Sequence, residues 1–293
     1  MVKTRYNPQC PNCFEKGRVT KKIDGKFSVY FCTNCYNGFT YPTPLNIKDY
    51  YQSSYWNSSN LLGKIKNTFF KIFQQRRINW VTETLPKGSI LDVGSGEGCF
   101  GKSLPKRYTV TNIEPLFSKV INKSVIKTDF LKWQTPLKFD AVCFWESLEH
   151  TPLPKSYLSK AFNLLKKGGI IFIEFPRHES LESKLFGKNW YHMDTPRHLS
   201  HLTDNGIKYL LNTVGFAGIT LKSVPSFDYT PWGFTASVLN CFGINLTDKL
   251  KDKQNILIFL MTTPLVFVSA LIEVFFIIIN QSPIGLATAR KNE

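Results

Sequence analysis

A run of alternating glycines after an acidic residue is the first feature of this sequence that could do chemistry. Asp92 closes an aliphatic stretch that begins at Ile90, and three glycines follow at alternate positions: Gly94, Gly96 and Gly98. An aliphatic run that passes at once into glycines is typical of a buried strand turning sharply into a helix. Glycines let the backbone approach a ligand closely, and such sheets bind ligands beyond the carboxyl ends of their strands. The stretch therefore predicts the first strand–loop–helix unit of a nucleotide-binding sheet.

The spacing of these glycines argues against a dinucleotide ligand. The dinucleotide fingerprint is G-x-G-x-x-G, whereas this loop reads G-x-G-x-G after the acid. The loop resembles the first motif of the class I S-adenosylmethionine (SAM) methyltransferases, whose loop holds the methionine part of SAM. The resemblance implies that these residues bind the cofactor: Asp92, Gly94, Ser95, Gly96 and Gly98.

Further segments extend the resemblance in chain order. Glu114 ends the next strand pattern, where a carboxylate can accept hydrogen bonds from both ribose hydroxyls. Asp129 and Phe130 match the adenine site of the family. Residues 139–150 resemble its fourth motif, and residues 165–174 resemble the helix end and strand that follow. The resemblance adds these predicted cofactor-binding residues: Glu114, Asp129, Phe130, Trp145 and Glu146.

Acid–base candidates follow the fourth motif. Methyl transfer from a sulfonium is an in-line displacement, so the enzyme must align the acceptor and remove the proton of a hydroxyl or amine. Glu149 and His150 are predicted bases because residues just past this strand face the methyl group of the cofactor. Residues 190–201 hold three histidines, an arginine and an acid, which could bind an anionic substrate and supply a base.

For any single histidine of residues 190–201, a hydrogen-bonded loop packed on the sheet is the alternative interpretation. From this segment we predict His192 and His198 as catalytic residues, and Tyr191 and Arg197 as substrate-binding residues. His198 and His201 lack a clear third ligand, so a histidine metal site is not expected.

Cysteine spacing predicts a metal site near the amino terminus. Two C-x2-C pairs have 18 residues and a strand pattern between them: Cys10, Cys13, Cys32 and Cys35. This spacing is typical of a tetrathiolate zinc ribbon, and four protein ligands leave no position for water, so the zinc is predicted to be structural. Disulfides are the competing interpretation, which a cytoplasmic setting disfavours.

The elements that must position these groups follow from the same patterns. The predicted fold class is α/β: a Rossmann-like class I methyltransferase sheet with a small amino-terminal zinc ribbon and an apolar helical insertion before the last strand. The predicted divisions are a ribbon (1–44), a packing linker and covering helix (45–85), the SAM-binding core (86–227), the apolar insertion (228–282) and the last core strand with a tail (283–293).

The insertion carries a long apolar run. Residues 256–279 contain Glu273 as their single charge, and at about 1.5 Å per residue a helix of this length could cross a bilayer. A chain that returns to pair with the preceding strand crosses an even number of times, and Pro264 offers a break between two short helices. We expect a monotopic hairpin in the cytoplasmic leaflet, then an oligomer or internal contact, then a true span.

A second apolar pattern precedes the first core strand. Apolar positions near helical spacing alternate with basic residues over residues 61–77. The pattern fits a helix that covers the sheet, and it also fits a basic amphipathic helix on a membrane surface.

Composition narrows the classes of partner. The 293-residue chain has a formal net charge of +16, which favours anionic partners such as an anionic membrane surface. It begins with charged and polar residues and no apolar signal segment, so we expect a cytoplasmic protein associated with the inner face of the cell membrane. The sequence does not specify an oligomeric state.

The segment from Phe186 to Leu199 narrows the resemblance. Following the Leu-Glu-His of the fourth motif, it is similar to bacterial methyltransferases of the ubiquinone O-methyltransferase group, many of which accompany cell-surface polysaccharide and glycolipid pathways. With the apolar insertion, this predicts a SAM-dependent methyltransferase that acts at the membrane face on a cell-surface saccharide or lipid-linked precursor. The alternative is an O-methyltransferase of a small aromatic or quinone-type substrate.

Two other classes fit less well. The ribbon and the positive charge would suit an RNA methyltransferase, but residues 145–148 read Trp-Glu-Ser-Leu. Methylation of base amino groups usually shows an Asn or Asp-Pro-Pro-aromatic turn there, so nucleic acid is not an expected partner. A non-enzymatic scaffold is disfavoured because every cofactor position carries a suitable residue.

Overall fold

Two β-sheets organise the chain. The computed structural model describes residues 8–15, 19–51, 74–226, 230–244 and 255–292, with the side chains of residues 255–261 excepted. In chain order the strands are β1 (Val19–Ile23), β2 (Ser28–Cys32), β3 (Gly38–Tyr41), β4 (Gly88–Val93), β5 (Tyr108–Glu114), β6 (Val125–Lys127), β7 (Phe139–Trp145), β8 (Leu165–Pro176), β9 (Ser200–His201), β10 (Phe216–Ser223) and β11 (Ile284–Lys291).

The larger sheet has seven strands in the order β10-β11-β8-β7-β4-β5-β6. Strands β4 to β8 run parallel, and β11 runs antiparallel to both β8 and β10. The predicted antiparallel strand pair at one edge is thereby confirmed, with Ile284–Lys291 as its final strand. Because β4 and β5 are parallel neighbours, Asp92 and Glu114 lie near the same edge of the sheet.

Helices cover both faces of this sheet. They are α1 (residues 74–84), α2 (Cys99–Ser103), α3 (Pro154–Leu164), α4 (Leu181–Phe186), α5 (Asp204–Val214), α6 (Thr230–Cys241) and α7 (Asn255–Ile278). On one face, α3 and α5 pack apolar side chains such as Leu158 and Leu210 against β7. On the other, Ile78 and Val81 of α1 pack beside Ile90. The covering-helix interpretation therefore holds for α1, while residues 61–73 lie outside the described residues.

The smaller sheet joins the amino-terminal ribbon to the core. Its order is β1-β2-β3-β9, all antiparallel, and β9 belongs to the chain that follows β8. The register pairs Gly38 with His201 and Phe39 with Ser200. The ribbon is thus continued by a core strand rather than attached through a linker alone.

The insertion between β10 and β11 is a helical hairpin. Helices α6 and α7 pack together through small polar side chains, with the Thr235 and Ser269 hydroxyl oxygens 3.0 Å apart. Near the end of α7, the Ser282 hydroxyl donates to the buried Glu273 carboxylate at 2.6 Å. The outward face of α7 is apolar and exposed: Phe267, Val268, Leu271, Val274, Phe275 and Ile278.

One prediction about this hairpin is wrong. Pro264 does not divide the apolar run into two short helices, because α7 is one helix from Asn255 to Ile278 with Pro264 inside it. Helix α7 instead packs against α6, the helix that precedes it among the described residues. Within the described residues, no helix is long and apolar enough to cross a membrane.

Candidate active site

The glycine loop between β4 and α2 borders open space. Gly94, Gly96 and Gly98 all have left-handed backbone angles, with φ of +78°, +55° and +70°. A Cβ on Gly94 would lie 2.4 Å from the Cβ of Ser147, so this glycine lets the loop pack on the turn after β7. A Cβ on Gly96 would meet no atom within 4 Å. The loop therefore offers its backbone to a ligand at Gly96.

Two buried carboxyl groups flank this loop. The Gly96 amide donates a hydrogen bond to Glu114, and burial raises the pKa of Glu114 to about 7. Asp92 is 1% exposed, and in the described part of the chain neither of its carboxyl oxygens has a hydrogen-bond partner. Burial raises the pKa of Asp92 to about 7, although Arg77 lowers it. Unpartnered buried oxygens next to a loop are acceptors that a ligand's hydroxyl or amino group would satisfy.

The other predicted cofactor residues differ in exposure. The Asp129 carboxylate accepts from the Leu131 amide at 3.0 Å. Phe130 is 3% exposed, and its ring contacts Phe144 and Tyr157 in the core. Its contact with adenine stays a prediction, as does the cofactor role of Asp129.

Trp145 is the last residue of β7, beside the glycine loop, and Glu146 follows it. The Trp145 ring is buried against Phe100, 5.1 Å between centroids, while Glu146 has a left-handed φ of +49°. Ser95 is half-buried, and its hydroxyl oxygen has no hydrogen-bond partner among the described residues. The roles of Trp145, Glu146 and Ser95 in cofactor binding likewise stay predictions.

Sequence patterns did not indicate the ion pairs beneath this edge. Glu174 of β8 is fully buried and accepts from Arg76 Nη2 at 2.7 Å and from Arg77 Nε at 2.6 Å. Arg77 Nη2 also lies 3.7 Å from a Glu146 carboxyl oxygen. The two arginines on α1 thereby connect that helix to β8 and to the residue that follows β7. The sequence pattern did not predict these ion pairs, because basic residues on an amphipathic helix ordinarily face solvent.

The predicted bases meet in one cluster. Side-chain ligand atoms of Glu149, His150 and His198 all lie within 4.8 Å of one another, and the two imidazole centroids are 4.8 Å apart. Glu149 and His150 lie in the turn Leu148–His150, directly after Ser147, which packs on the glycine loop. The predicted bases and the glycine loop therefore lie at the same edge of the sheet. The same three side chains could also hold a metal ion, a set that the His198/His201 spacing did not suggest.

Hydrogen bonds set the tautomers of both histidines. His150 Nδ1 lies 3.1 Å from the Arg197 carbonyl oxygen, and His198 Nδ1 lies 2.8 Å from the His192 carbonyl oxygen. A carbonyl oxygen only accepts, so each Nδ1 carries the proton and each Nε2 is left as an acceptor. Burial lowers the pKa of both His150 and His198 to about 3, so both rings are neutral near pH 7.

Glu149 differs from its histidine neighbours. It is 2% exposed, and among the described residues its Oε2 has no hydrogen-bond partner. Burial, with nearby Glu146, raises the pKa of Glu149 well above its ordinary value. A carboxyl held in its protonated form cannot accept a proton, which argues against Glu149 as the base.

Tyr191 and Arg197 line a cavity of about 360 Å³ with Asp194, Lys188 and other residues of the segment. Arg197 is paired with the Asp194 carboxylate, with Nη2 2.8 Å from it. His192 is buried beneath α6, where a Cβ on Gly233 would lie 2.9 Å from its Nε2. Its carbonyl group accepts from His198 Nδ1, and the catalytic role of its ring stays a prediction.

Tyr51 was not singled out from the sequence, although it lies within the predicted packing linker and covering helix (45–85). Its hydroxyl oxygen lies 3.0 Å from His150 Nδ1. Single tyrosines in an irregular segment carry no spacing signal, so only the folded chain identifies this contact.

The four ribbon cysteines converge. The Sγ atoms of Cys10 and Cys35 are 3.6 Å apart, those of Cys13 and Cys32 are 3.5 Å apart, and all four lie within 4.8 Å of one another. A tetrahedral zinc with Zn–S bonds of about 2.3 Å requires Sγ atoms roughly 3.8 Å apart. The predicted ligand set therefore fits zinc closely.

Comparison with known proteins gives one family and several relatives. A family described as a methyltransferase domain matches residues 64–221, more than half of the chain. A ubiquinone biosynthesis O-methyltransferase of Pseudomonas fluorescens is 32% identical over 112 residues, covering 33% of this chain and 48% of that protein. The protein of the same name from Pseudomonas entomophila is 31% identical over the same length and coverage.

A solved structure shares the fold. The phosphoethanolamine N-methyltransferase 2 of Haemonchus contortus, in complex with phosphomonomethylethanolamine and S-adenosylhomocysteine, has a TM-score of 0.52 at 14% identity. The match covers 87% of this chain and 62% of that one. The chain spans about half the length of the Pseudomonas relatives it matches.

Proposed function

The chain belongs to the methyltransferase domain family of SAM-dependent enzymes, and on that basis we propose that it is an O-methyltransferase of a small hydroxylated substrate of aromatic or quinone type. The pair of neutral histidines, His150 and His198, carries this proposal, because a hydroxyl acceptor needs a base and both rings keep Nε2 free to accept a proton. The names of the Pseudomonas relatives agree with oxygen as the acceptor atom.

The residues at the sheet edge suit SAM. The amide of Gly96 and the carboxyl groups of Asp92 and Glu114 surround the loop that would hold it, and SAM when bound supplies the methyl group. His150 or His198 takes the proton from the substrate hydroxyl. Tyr51, 3.0 Å from His150, holds that ring in place. These groups align the acceptor and activate it, which are the two tasks of a methyl-transfer enzyme.

The test is methyl transfer from labelled SAM to a catechol such as caffeate. We expect label in the catechol with wild type and a fall in kcat of about 100-fold or more in His150→Asn or His198→Asn, the range of general-base loss. Gly96→Arg places a long side chain in the open space beside the loop and should abolish SAM binding without unfolding the protein. If both histidine variants retain full activity, the proposed base is wrong.

A second candidate substrate is a lipid-linked or saccharide precursor at the cytoplasmic membrane face. The hairpin supports it, because α6 and α7 bury small polar side chains between them and expose large apolar ones such as Phe267 and Leu271. This distribution is the reverse of a helix pair in water and resembles helices that face lipid. The net charge of +16 fits an anionic leaflet.

Vesicle flotation tests the second candidate. Wild-type protein should float with vesicles containing phosphatidylglycerol, and Phe267→Ser with Leu271→Ser should lose flotation while keeping catechol activity. Labelled SAM with a cell extract then distinguishes the substrates, because label in the organic phase indicates a lipid acceptor. Label confined to RNA or to water-soluble products would contradict the membrane candidate.

We further propose that the four ribbon cysteines bind one structural zinc ion. Their Sγ separations support it, because a tetrahedral thiolate site brings all four sulfurs this close to one another. With four protein ligands the ion would have no open position for substrate.

A further inference from the structure

The ribbon strand β3 reaches the segment that carries the catalytic histidine. The Thr40 amide donates to the Leu199 carbonyl oxygen at 3.0 Å, and the β3–β9 ladder continues through Gly38 and Phe39. A strand from residues 38–41 therefore forms one wall of the loop that holds His198. The position is buried, with Thr40 3% exposed.

The Thr40 hydroxyl makes two directed contacts with this segment. Its oxygen lies 2.7 Å from the His198 carbonyl oxygen and 2.9 Å from His201 Nε2. The carbonyl only accepts, so Thr40 donates to it, and His201 then donates its Nε2 proton to the Thr40 oxygen. One hydroxyl thus fixes the backbone at His198 and the tautomer of His201.

The opposite side of the same segment holds the turn with the other predicted bases. The Leu199 amide donates to the Glu149 carbonyl oxygen at 2.9 Å, and the Ser200 hydroxyl donates to the Thr151 carbonyl oxygen at 2.7 Å. His150 Nδ1 donates to the Arg197 carbonyl oxygen. Residues 197–201 are therefore layered between the ribbon strand and the Leu148–His150 turn.

Other ribbon residues hold the two ends of this layer. The Thr203 hydroxyl donates to the Tyr36 carbonyl oxygen at 2.8 Å, directly after the cysteine knuckle. Val29 of β2 packs against Trp190 and Met193. The glycine loop, in contrast, is positioned by β4, β5 and Ser147.

We propose that Thr40 is a positioning residue for methyl transfer, and that through it the ribbon holds His198 and His150 at their working separation. This inference rests on the proposed function, because the geometry it preserves is that of the base pair. A change at Thr40 should affect the acceptor step and leave SAM binding intact.

The test compares Thr40→Val, which keeps the shape and removes the hydroxyl, with Thr40→Ser, which restores the hydroxyl. We expect kcat for the catechol to fall about 10- to 100-fold in Thr40→Val, the cost of a misplaced catalytic group, and to return to within threefold of wild type in Thr40→Ser. The Kd for SAM should stay within twofold in both. Thr20→Val, an exposed threonine on β1, is the matched control and should behave as wild type.

Imidazole nitrogen NMR separates this inference from the proposed function. In Thr40→Val the His201 Nε2 signal should shift and the His198 signals should move with it, whether or not a catechol is the substrate. Wild-type activity with unchanged histidine signals and unchanged kcat in Thr40→Val would overturn the positioning role alone. Absence of methyl transfer by wild type, with the NMR shifts present, would overturn the proposed function alone.

Discussion

At the scale of single residues, the site is defined by titratable groups held in their neutral forms. All five histidines of the chain lie in or beside the segment after β7, and burial lowers the pKa of each of them. The carboxyl groups near the glycine loop move the other way, to a pKa of about 7 for both Asp92 and Glu114. The histidines are therefore neutral at pH 7, whereas the two carboxyl groups beside the glycine loop are only partly ionised there.

Glu114 should make SAM binding depend on pH. Its raised pKa means that the unliganded protein holds a proton below about pH 7, and an ionised carboxylate is the stronger acceptor for ribose hydroxyls. Loss of that proton therefore accompanies binding, so affinity rises with pH. Between pH 8 and pH 6 we expect the Kd to increase about tenfold for this group.

Isothermal titration at both pH values measures this dependence. Glu114→Gln keeps an oxygen for the Gly96 amide but cannot ionise, so it should lose about tenfold of the change seen with wild type. Asp92 remains in the variant and accounts for any residual slope. Equal slopes in the two proteins would exclude Glu114 from the cofactor site.

At the scale of elements, α1 is held to the sheet by buried charge as well as apolar packing. Arg76 and Arg77 both bond to Glu174, which has no exposed surface, and the desolvation of that carboxylate is offset by the two guanidinium groups. Those charges keep the pKa of Glu174 below its ordinary value despite burial. Glu174 in β8 therefore helps to hold α1 beside the glycine loop, together with Glu146 and Ser226, which the same two arginines contact.

Removing this carboxylate should be costly. Glu174→Ala removes the carboxylate that both guanidinium groups share, and breaking such a buried pair costs about 3–5 kcal/mol of unfolding free energy. Guanidinium unfolding followed by circular dichroism measures the loss. Glu83→Ala, at an exposed position on the same helix, should change stability by less than about 0.5 kcal/mol. A loss below about 1 kcal/mol in Glu174→Ala would show that the ion pairs do not hold the helix.

At the scale of the whole molecule, residues 187–203 lie between the two appendages of the core. The ribbon packs on one side of this segment through Val29 and Thr40, and the hairpin packs on the other through Ser237, whose hydroxyl oxygen accepts from the Tyr191 amide at 2.8 Å. Neither appendage is therefore a separate attachment to a complete enzyme. Both contact the segment that carries the predicted substrate-binding residues Tyr191 and Arg197.

Metal removal should reveal this dependence. We expect one zinc per chain by elemental analysis, and none in Cys32→Ser with Cys35→Ser. Stripping zinc should lower the melting temperature and the catechol activity, because a ribbon too small for its own core loses its staple. The Kd for SAM should change by less than about threefold, which corresponds to less than about 0.7 kcal/mol of binding free energy.

Cys241→Ser, at an exposed cysteine outside the ribbon, is the control for the thiol chemistry. It should retain both zinc and activity. Zinc that persists in the double ribbon variant would instead place a metal elsewhere, with Glu149, His150 and His198 as the available ligands.

The sequence by itself determined the sheet, the glycine loop and the cysteine cluster, because each depends on residues close in the chain or on a regular period. Alternating glycines after Asp92 specify a strand-to-helix turn, and the two C-x2-C pairs predict the four cysteines that the structure brings together. The final strand was predictable as well, because the expected fold ends in an antiparallel strand pair and residues 284–291 carry the last strand pattern of the chain.

Only the tertiary structure decided what depends on distant contacts. The sequence around Pro264 is compatible with a helix break or with a helix interior. In the structure Pro264 lies inside α7, which packs against α6. Which nitrogen of His150 and of His198 carries the proton depends on the carbonyl groups of Arg197 and His192, which no local spacing encodes. Thr40 reaches the site because β3 pairs with β9, which brings together residues that lie 161 positions apart in the chain. Backbone hydrogen bonds form this pairing, and no side-chain pattern in either segment specifies its partner.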